Sequence, residues 1–285
     1  MPDLSTIYQI ISYILPFECL KAGFMQQAMI GLILLAPMAA VMGVQVVNFR
    51  MAFFSDAISH SAFAGVALGL IFSVSPHWTM PLFGLLVGLA IMAVQRKSTL
   101  SSDTVIGVFF SAVIAFGLAV VSRDRSVARD MQRFLYGDIL TISNNDILFL
   151  LILFIALLIF QILSYNRLLY IGINPTLAKA HSIRVATYQY YFAGLLSLIV
   201  MFSVWAVGVL LVTAMLIVPA AAARNFARSA GAMFWWALLV SLTSAITGLI
   251  ISAQDWANTA TGATIILVAC LCFMISVIFS FIGRD

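Results

Sequence analysis

The chain has 285 residues, of which 64% are hydrophobic and only 8% charged, with 14 basic against 10 acidic side chains and a net charge of +4. A soluble domain carries roughly 25% charged residues, so this composition excludes a soluble globular protein and indicates an all-α, polytopic transmembrane bundle. The apolar stretches are too long and too uniform for a transmembrane barrel, whose strands run about ten residues and alternate in polarity. The small positive charge resides mainly in arginines between apolar stretches, so it bears on topology and not on nucleic acid, for which no partner role is expected.

In chain order, Met1–Phe17 has neither the basic start nor the small-residue cleavage site of a signal peptide. Leu4–Phe24 mixes apolar residues with Gln9, Pro16, Glu18 and Lys21, and residues 1–25 read as an interfacial amphipathic helix. Apolar stretches of spanning length follow at 26–47, 55–73, 79–95, 104–121, 146–164, 188–204, 208–223, 231–252 and 262–282. With a span needing about 17 to 25 residues, the expected count is about eight to ten. The region 188–223 reads either as two spans or as one span and a helix broken near Trp205–Gly208. The longest connections are expected at 122–145 and 165–187, and neither is large enough to fold alone. One set of loops holds Arg50, Arg96, Lys97, Arg167, Lys179, Arg184, Arg224, Arg228 and Arg284, and the positive-inside rule puts that set in the cytoplasm. Cys19, Cys270 and Cys272 form no CxxC pair and no disulfide framework, and the last two read as packing residues.

The polar island Ser55-Asp56-Ala57-Ile58-Ser59-His60-Ser61 interrupts this pattern. Asp56 and His60 are four residues apart and share one face of a helix. Ionisable groups inside a membrane are costly unless compensated. Carboxylate oxygen suits hard cations and imidazole suits zinc, iron and manganese, so the pair reads as part of a cation site, with Ser59 as a candidate accessory ligand. Two ligands from one helix cannot saturate the metal, so water or a second subunit must supply the remainder. An Asp–His ion pair, or Ser55 or Asp56 as a helix N-cap, explains the same residues structurally. Gly65 and Gly69 form a GxxxG on this span and Gly84 and Gly88 another on the next, which predicts close packing with the 55–73 helix deep in the bundle. His77, in Ser75-Pro76-His77-Trp78, reads as solvated or interfacial, and the Arg123–Arg133 stretch as a solvated loop. His181 follows Asn174-Pro175-Thr176-Leu177-Ala178-Lys179-Ala180, a turn and short helix suited to a partner contact. No GxxxxGK[ST], HExxH or GxSxG is present, which argues against a P-loop ATPase, a zinc protease and a serine hydrolase.

The run Phe54-Ser55-Asp56-Ala57-Ile58-Ser59-His60-Ser61 with Gly65-Val66-Ala67-Leu68-Gly69 resembles the signature of the ABC-3 family of metal permeases. Val207-Gly208-Val209-Leu210-Leu211-Val212-Thr213-Ala214-Met215-Leu216-Ile217-Val218-Pro219-Ala220-Ala221 resembles its VG-x-LLV-x-A-x-LI-x-PAA segment, and Leu135-Tyr136-Gly137-Asp138-Ile139-Leu140 its LFGDLL segment. The resemblance covers about 26–282. It implies a type II importer-like permease in a bacterial inner membrane, with no permanently bound cofactor, that carries zinc, manganese or iron. It implies as partners separate ATP-binding subunits, an extracytoplasmic metal-binding protein, and a second copy or a sister permease. Asp56 and His60 fall on the family's metal-site aspartate and histidine. Asn174–Val185, within the 165–187 connection, falls on its coupling helix, where Asn174, Pro175, Leu177, Ala178 and His181 would meet the ATPase. Asn174 and Thr176 stand where the family often has acidic residues, and Phe49-Arg50 where it often has two arginines. A proton-coupled secondary metal transporter and a non-transporting scaffold remain the alternatives from other classes.

Overall fold

The computed structural model describes residues 22–122 and 139–282. Most of the expected N-terminal interfacial helix, the Arg123–Arg133 stretch and Leu135–Asp138 lie outside the described residues. The described chain folds into helices α1 (Gly23–Asn48), α2 (Ala52–Ile71), α3 (Pro76–Lys97), α4 (Ser102–Val121), α5 (Asn144–Ile173), α6 (Pro175–Ala180), α7 (Val185–Val207), α8 (Val209–Phe226), α9 (Ala230–Ser252) and α10 (Thr261–Ile282), with a short 3-10 turn at Ile139–Thr141. Eight of these are long and apolar enough to span a membrane. The 20-residue α2 has spanning length but carries the polar island.

Pairwise contacts set the direction of the helices. α2 and α3 are antiparallel, with Gly65 against Met80 and Ile58 against Gly88. α7 is antiparallel to α3: Ser197 meets Gly88, Met201 meets Gly84, and Trp205 lies beside His77. α8 runs in the same direction as α10, with Leu211 at Gly262 and Asn225 hydrogen-bonded to Ser276, whereas α9 opposes α10 through Gly248 and Ile265. α7 and α8 are therefore two spans reversed at a single residue, Gly208, whose φ of 90° lies in the region that favours glycine. The α1–α2 turn takes three residues, 49–51, and places Arg50 at φ 56°.

With this alternation, Arg50, Arg96, Lys97, Arg167, Lys179, Arg184, Arg224 and Arg228 gather at one end of the bundle. The other end carries Asp146 and Asp255 and, among the described residues, no lysine or arginine. The positive-inside rule assigns the basic end to the cytoplasm.

Two boundaries depart from expectation. α5 does not stop near 164 but continues to Ile173, so the connection expected at 165–187 shrinks to 174–184 with α6 inside it. Tyr165, Asn166 and Arg167 look like loop residues but occupy the last turns of a 30-residue helix that reaches past the apolar layer. At its other end, α5 starts with Ser143 and Asp146 capping each other's backbone N–H groups. His77 is not in a loop either: α3 begins at Pro76, so the imidazole turns inward against Trp205 at 5.1 Å and Phe149 at 5.3 Å. Cys270 and Cys272 are free, half-buried thiols on α10.

The glycines expected to allow close packing do so. A Cβ at Gly65 would lie 2.7 Å from Met80 Cα, and one at Gly69 2.6 Å from the Thr79 hydroxyl. Thr79 itself donates to the Gly65 carbonyl at 2.8 Å. Gly84 and Gly88 receive Met201 and Ser197 of α7. On the far side of the bundle, Gly43 of α1 sits directly on the Leu216 carbonyl of α8. Gly65→Leu is expected to lower thermal stability of the detergent-solubilised protein sharply, by more than the roughly 1–3 kcal/mol of ordinary overpacking, because the obstacle is backbone. Gly231→Ala, where nothing lies within 4 Å, should leave the melting temperature within a degree or two or raise it slightly.

Candidate cation site

Asp56 and His60 lie on the face of α2 opposite the Ile58–Gly65–Gly69 stripe that packs on α3. Both are half-buried. Thr213 of α8 approaches the Asp56 carboxylate, while its hydroxyl donates within its own helix to the Leu210 carbonyl at 3.3 Å. The His60 ring stands edge-on to Phe63, at 5.5 Å between centroids, and to Phe110 of α4, at 5.2 Å. The side chains thus point into a space bounded by α4 and α8, with aromatic walls beside the imidazole and a hydroxyl beside the carboxylate.

The structural alternatives for the polar island do not hold. α2 begins at Ala52 and has no acidic residue in its first turn, so Asp56 caps nothing. Among the described residues no ion pair joins Asp56 to His60, and both groups stay open to a ligand. The flanking serines are satisfied within the helix: Ser55 donates to the Ala52 carbonyl at 3.2 Å and Ser61 to the Ile58 carbonyl at 2.6 Å. Ser59 is fully buried and its hydroxyl has no hydrogen-bond partner. It does not share the partial exposure of Asp56 and His60.

Among the described residues no group of three or more His, Cys, Asp or Glu side chains converges anywhere. One carboxylate and one imidazole are half of the four ligands that zinc takes in a closed tetrahedral site. Thr213 was not foreseen as a site residue, although as a polar side chain in the Val209–Ala221 run it carried a readable signal. Its position also defines the depth of the site. Thirteen residues of α8, about 20 Å of helix rise, separate Thr213 from Phe226 at the basic end.

The sequence matches the ABC 3 transport family over residues 21–280. The chain belongs to that family. It is 34% identical to the high-affinity zinc uptake system membrane protein ZnuB of Haemophilus influenzae over 244 residues, 86% of this chain and 93% of that one. It is 31% identical to the manganese transport system membrane protein MntC of Listeria innocua over 261 residues, 92% of each. Its fold is similar to that of PsaBC from Streptococcus pneumoniae in complex with Fab, with a TM-score of 0.76, 31% identity and 95% of both chains covered. As an ABC 3 family member the chain is a multi-pass permease subunit of the bacterial cell membrane, a transport component and not an enzyme.

The segments carrying Asp56 and Thr213 lie more than 150 positions apart in this family member, and the fold brings them side by side.

Proposed function

We propose that this chain is the membrane permease of an ATP-driven importer that carries a divalent transition-metal cation, zinc or manganese, with iron the third cation suited to the same ligands, and that Asp56 and His60 hold the cation in transit. What supports this reading above all is the open carboxylate–imidazole pair one helical turn apart, neither neutralised by the other nor used as a cap. An intramembrane pair left in that state requires compensation, and a dication supplies it. Relatives named for zinc and for manganese transport fit a donor pair that suits either metal.

The cation needs more ligands than one chain offers. A second copy, or a sister permease, presenting its own Asp56–His60 face would bring two carboxylates and two imidazoles together, enough for a tetrahedral shell. Delivery from outside falls to an extracytoplasmic metal-binding protein, and ATP hydrolysis to separate ATP-binding subunits docked at the basic end. There α6 is the coupling helix. The Asn174 side chain accepts from the Thr176 and Leu177 backbone N–H groups at 2.9 and 3.1 Å, and Pro175 follows at the position where proline starts helices best. Ala178 anchors α6 against Ile171 and Val185, while Leu177 and His181 face outward. A six-residue helix clamped between α5 and α7 passes a push from the ATPase directly to both.

Asp56→Asn and His60→Ala are each expected to cut ATP-dependent uptake of radiolabelled zinc or manganese by more than tenfold at unchanged membrane abundance. Uptake undiminished in both, or uptake that survives ATP depletion and collapses with the proton gradient, would refute the reading. Leu177→Asp should instead lower metal-stimulated ATP hydrolysis by the assembled transporter without weakening metal binding.

A further inference from the structure

Between α5, α7 and the segment joining α6 to α7 lies a cavity of about 920 Å³ at the basic end of the bundle. Its mouth is polar and cationic, lined by Arg167, Arg184, His181 and Tyr188, and among the described residues no carboxylate contributes to its lining. The Arg167 guanidinium donates to the Tyr188 hydroxyl and lies over its ring at 5.3 Å, which holds the cation at the rim. Deeper in, the walls become Ile159, Phe160 and Leu163. A second chamber of about 520 Å³, almost wholly apolar, continues between α3, α5 and α7 along Leu85, Leu89, Gly194 and Leu198. Ala156, Phe160 and Tyr191 line both, so the two adjoin to make up a slot along the helix surface.

From Arg167 to Ala156 the slot follows eleven residues of α5, about 16 Å of rise. That is about half of a hydrocarbon layer roughly 30 Å thick, the depth of one leaflet. The slot opens on the α3–α5–α7 side, whereas Asp56 and His60 face α4 and α8, so it is separate from the cation site.

We propose that this slot binds an anionic glycerophospholipid of the cytoplasmic leaflet, its phosphate between Arg167 and Arg184 and one acyl chain in the apolar chamber. Two arginines without a lining carboxylate form an anion site, and guanidinium is the side chain best matched to phosphate. Basic pockets between transmembrane helices on the cytoplasmic side are the usual seats of such headgroups. The apolar chamber supplies what a free phosphate could not use. The bound lipid would tie α5 to α7 on both sides of the coupling helix.

The test is native mass spectrometry of the full-length chain after equilibration in mixed micelles holding equal phosphatidylglycerol and phosphatidylcholine. One phosphatidylglycerol per chain should be retained in roughly tenfold or greater excess over phosphatidylcholine, and the preference should shrink as salt rises. Arg167→Gln with Arg184→Gln should abolish the preference, and the paired lysine variants should keep part of it. Gly194→Leu, which fills the chamber without touching either arginine, should lower retention by a similar factor. Equal retention of the two lipids, or a preference unchanged in the glutamine variant, overturns the proposal. So does competition by soluble glycerol phosphate at the lipid's own concentration, which would make this a free-anion site. Displacement of the lipid by the ATP-binding subunit would assign the surface to that partner and equally overturn it. None of these outcomes depends on Asp56 or His60.

Discussion

Inside a bilayer the hydrophobic effect does not drive helices together, because lipid tails are as apolar as leucine. What positions α2 is close backbone approach, and the rest of the site depends on it. Gly65 and Gly69 bring α2 onto α3, and Gly84 and Gly88 bring α3 onto α7. One face of α2 is consumed by that contact. The opposite face, with Asp56 and His60, is thereby turned to α4 and α8 and held at a constant depth. A bulkier residue in the stripe would displace the carboxylate and imidazole together.

The polar groups divide along the same line. Several serines on the packing faces return their hydroxyls to nearby backbone, as Ser61 does to Ile58 and Ser197 does to Ala193, although Ser59 does not. Asp56 has Thr213 beside it and His60 has aromatic edges. Satisfied hydroxyls stabilise the bundle, whereas the under-satisfied pair is where a ligand gains most. Among the described residues no third acidic, histidine or cysteine group stands beside the pair.

Much of this was legible in the sequence because membrane spans are read from length and apolarity alone. The apolar runs correspond to the helices, and the GxxxG pairs to close helix contacts, although Gly43, in no such pair, makes the closest. Asp56 and His60 stood out because ionisable residues are rare in such runs. The failures have physical causes. Tyr165, Asn166 and Arg167 resemble a loop, yet helix continues wherever amphipathic side chains can reach the interface, so α5 runs to Ile173. His77 was placed in a short loop, solvated or interfacial, from its neighbours Ser75 and Pro76, but Pro76 opens a helix and the half-buried imidazole meets an aromatic cluster. Thr213 was passed over because a lone threonine in a helix ordinarily bonds its own backbone, as this one does at Leu210, and only the tertiary fold brings it near Asp56.

Gly208 has one more consequence. It alone separates α7 from α8, and it lies at the end of the molecule opposite α6. α7 is a rod of 23 residues, about 35 Å, with the short helix α6 at its foot and Gly208 at its head. Thr213 lies just five residues beyond that joint. A sideways stroke at the foot of such a lever reaches the fulcrum as a rotation, and a joint of one residue has no slack in which to lose it. The threonine beside Asp56 is therefore mechanically nearer to the cytoplasmic foot of α7 than its distance through the bundle implies.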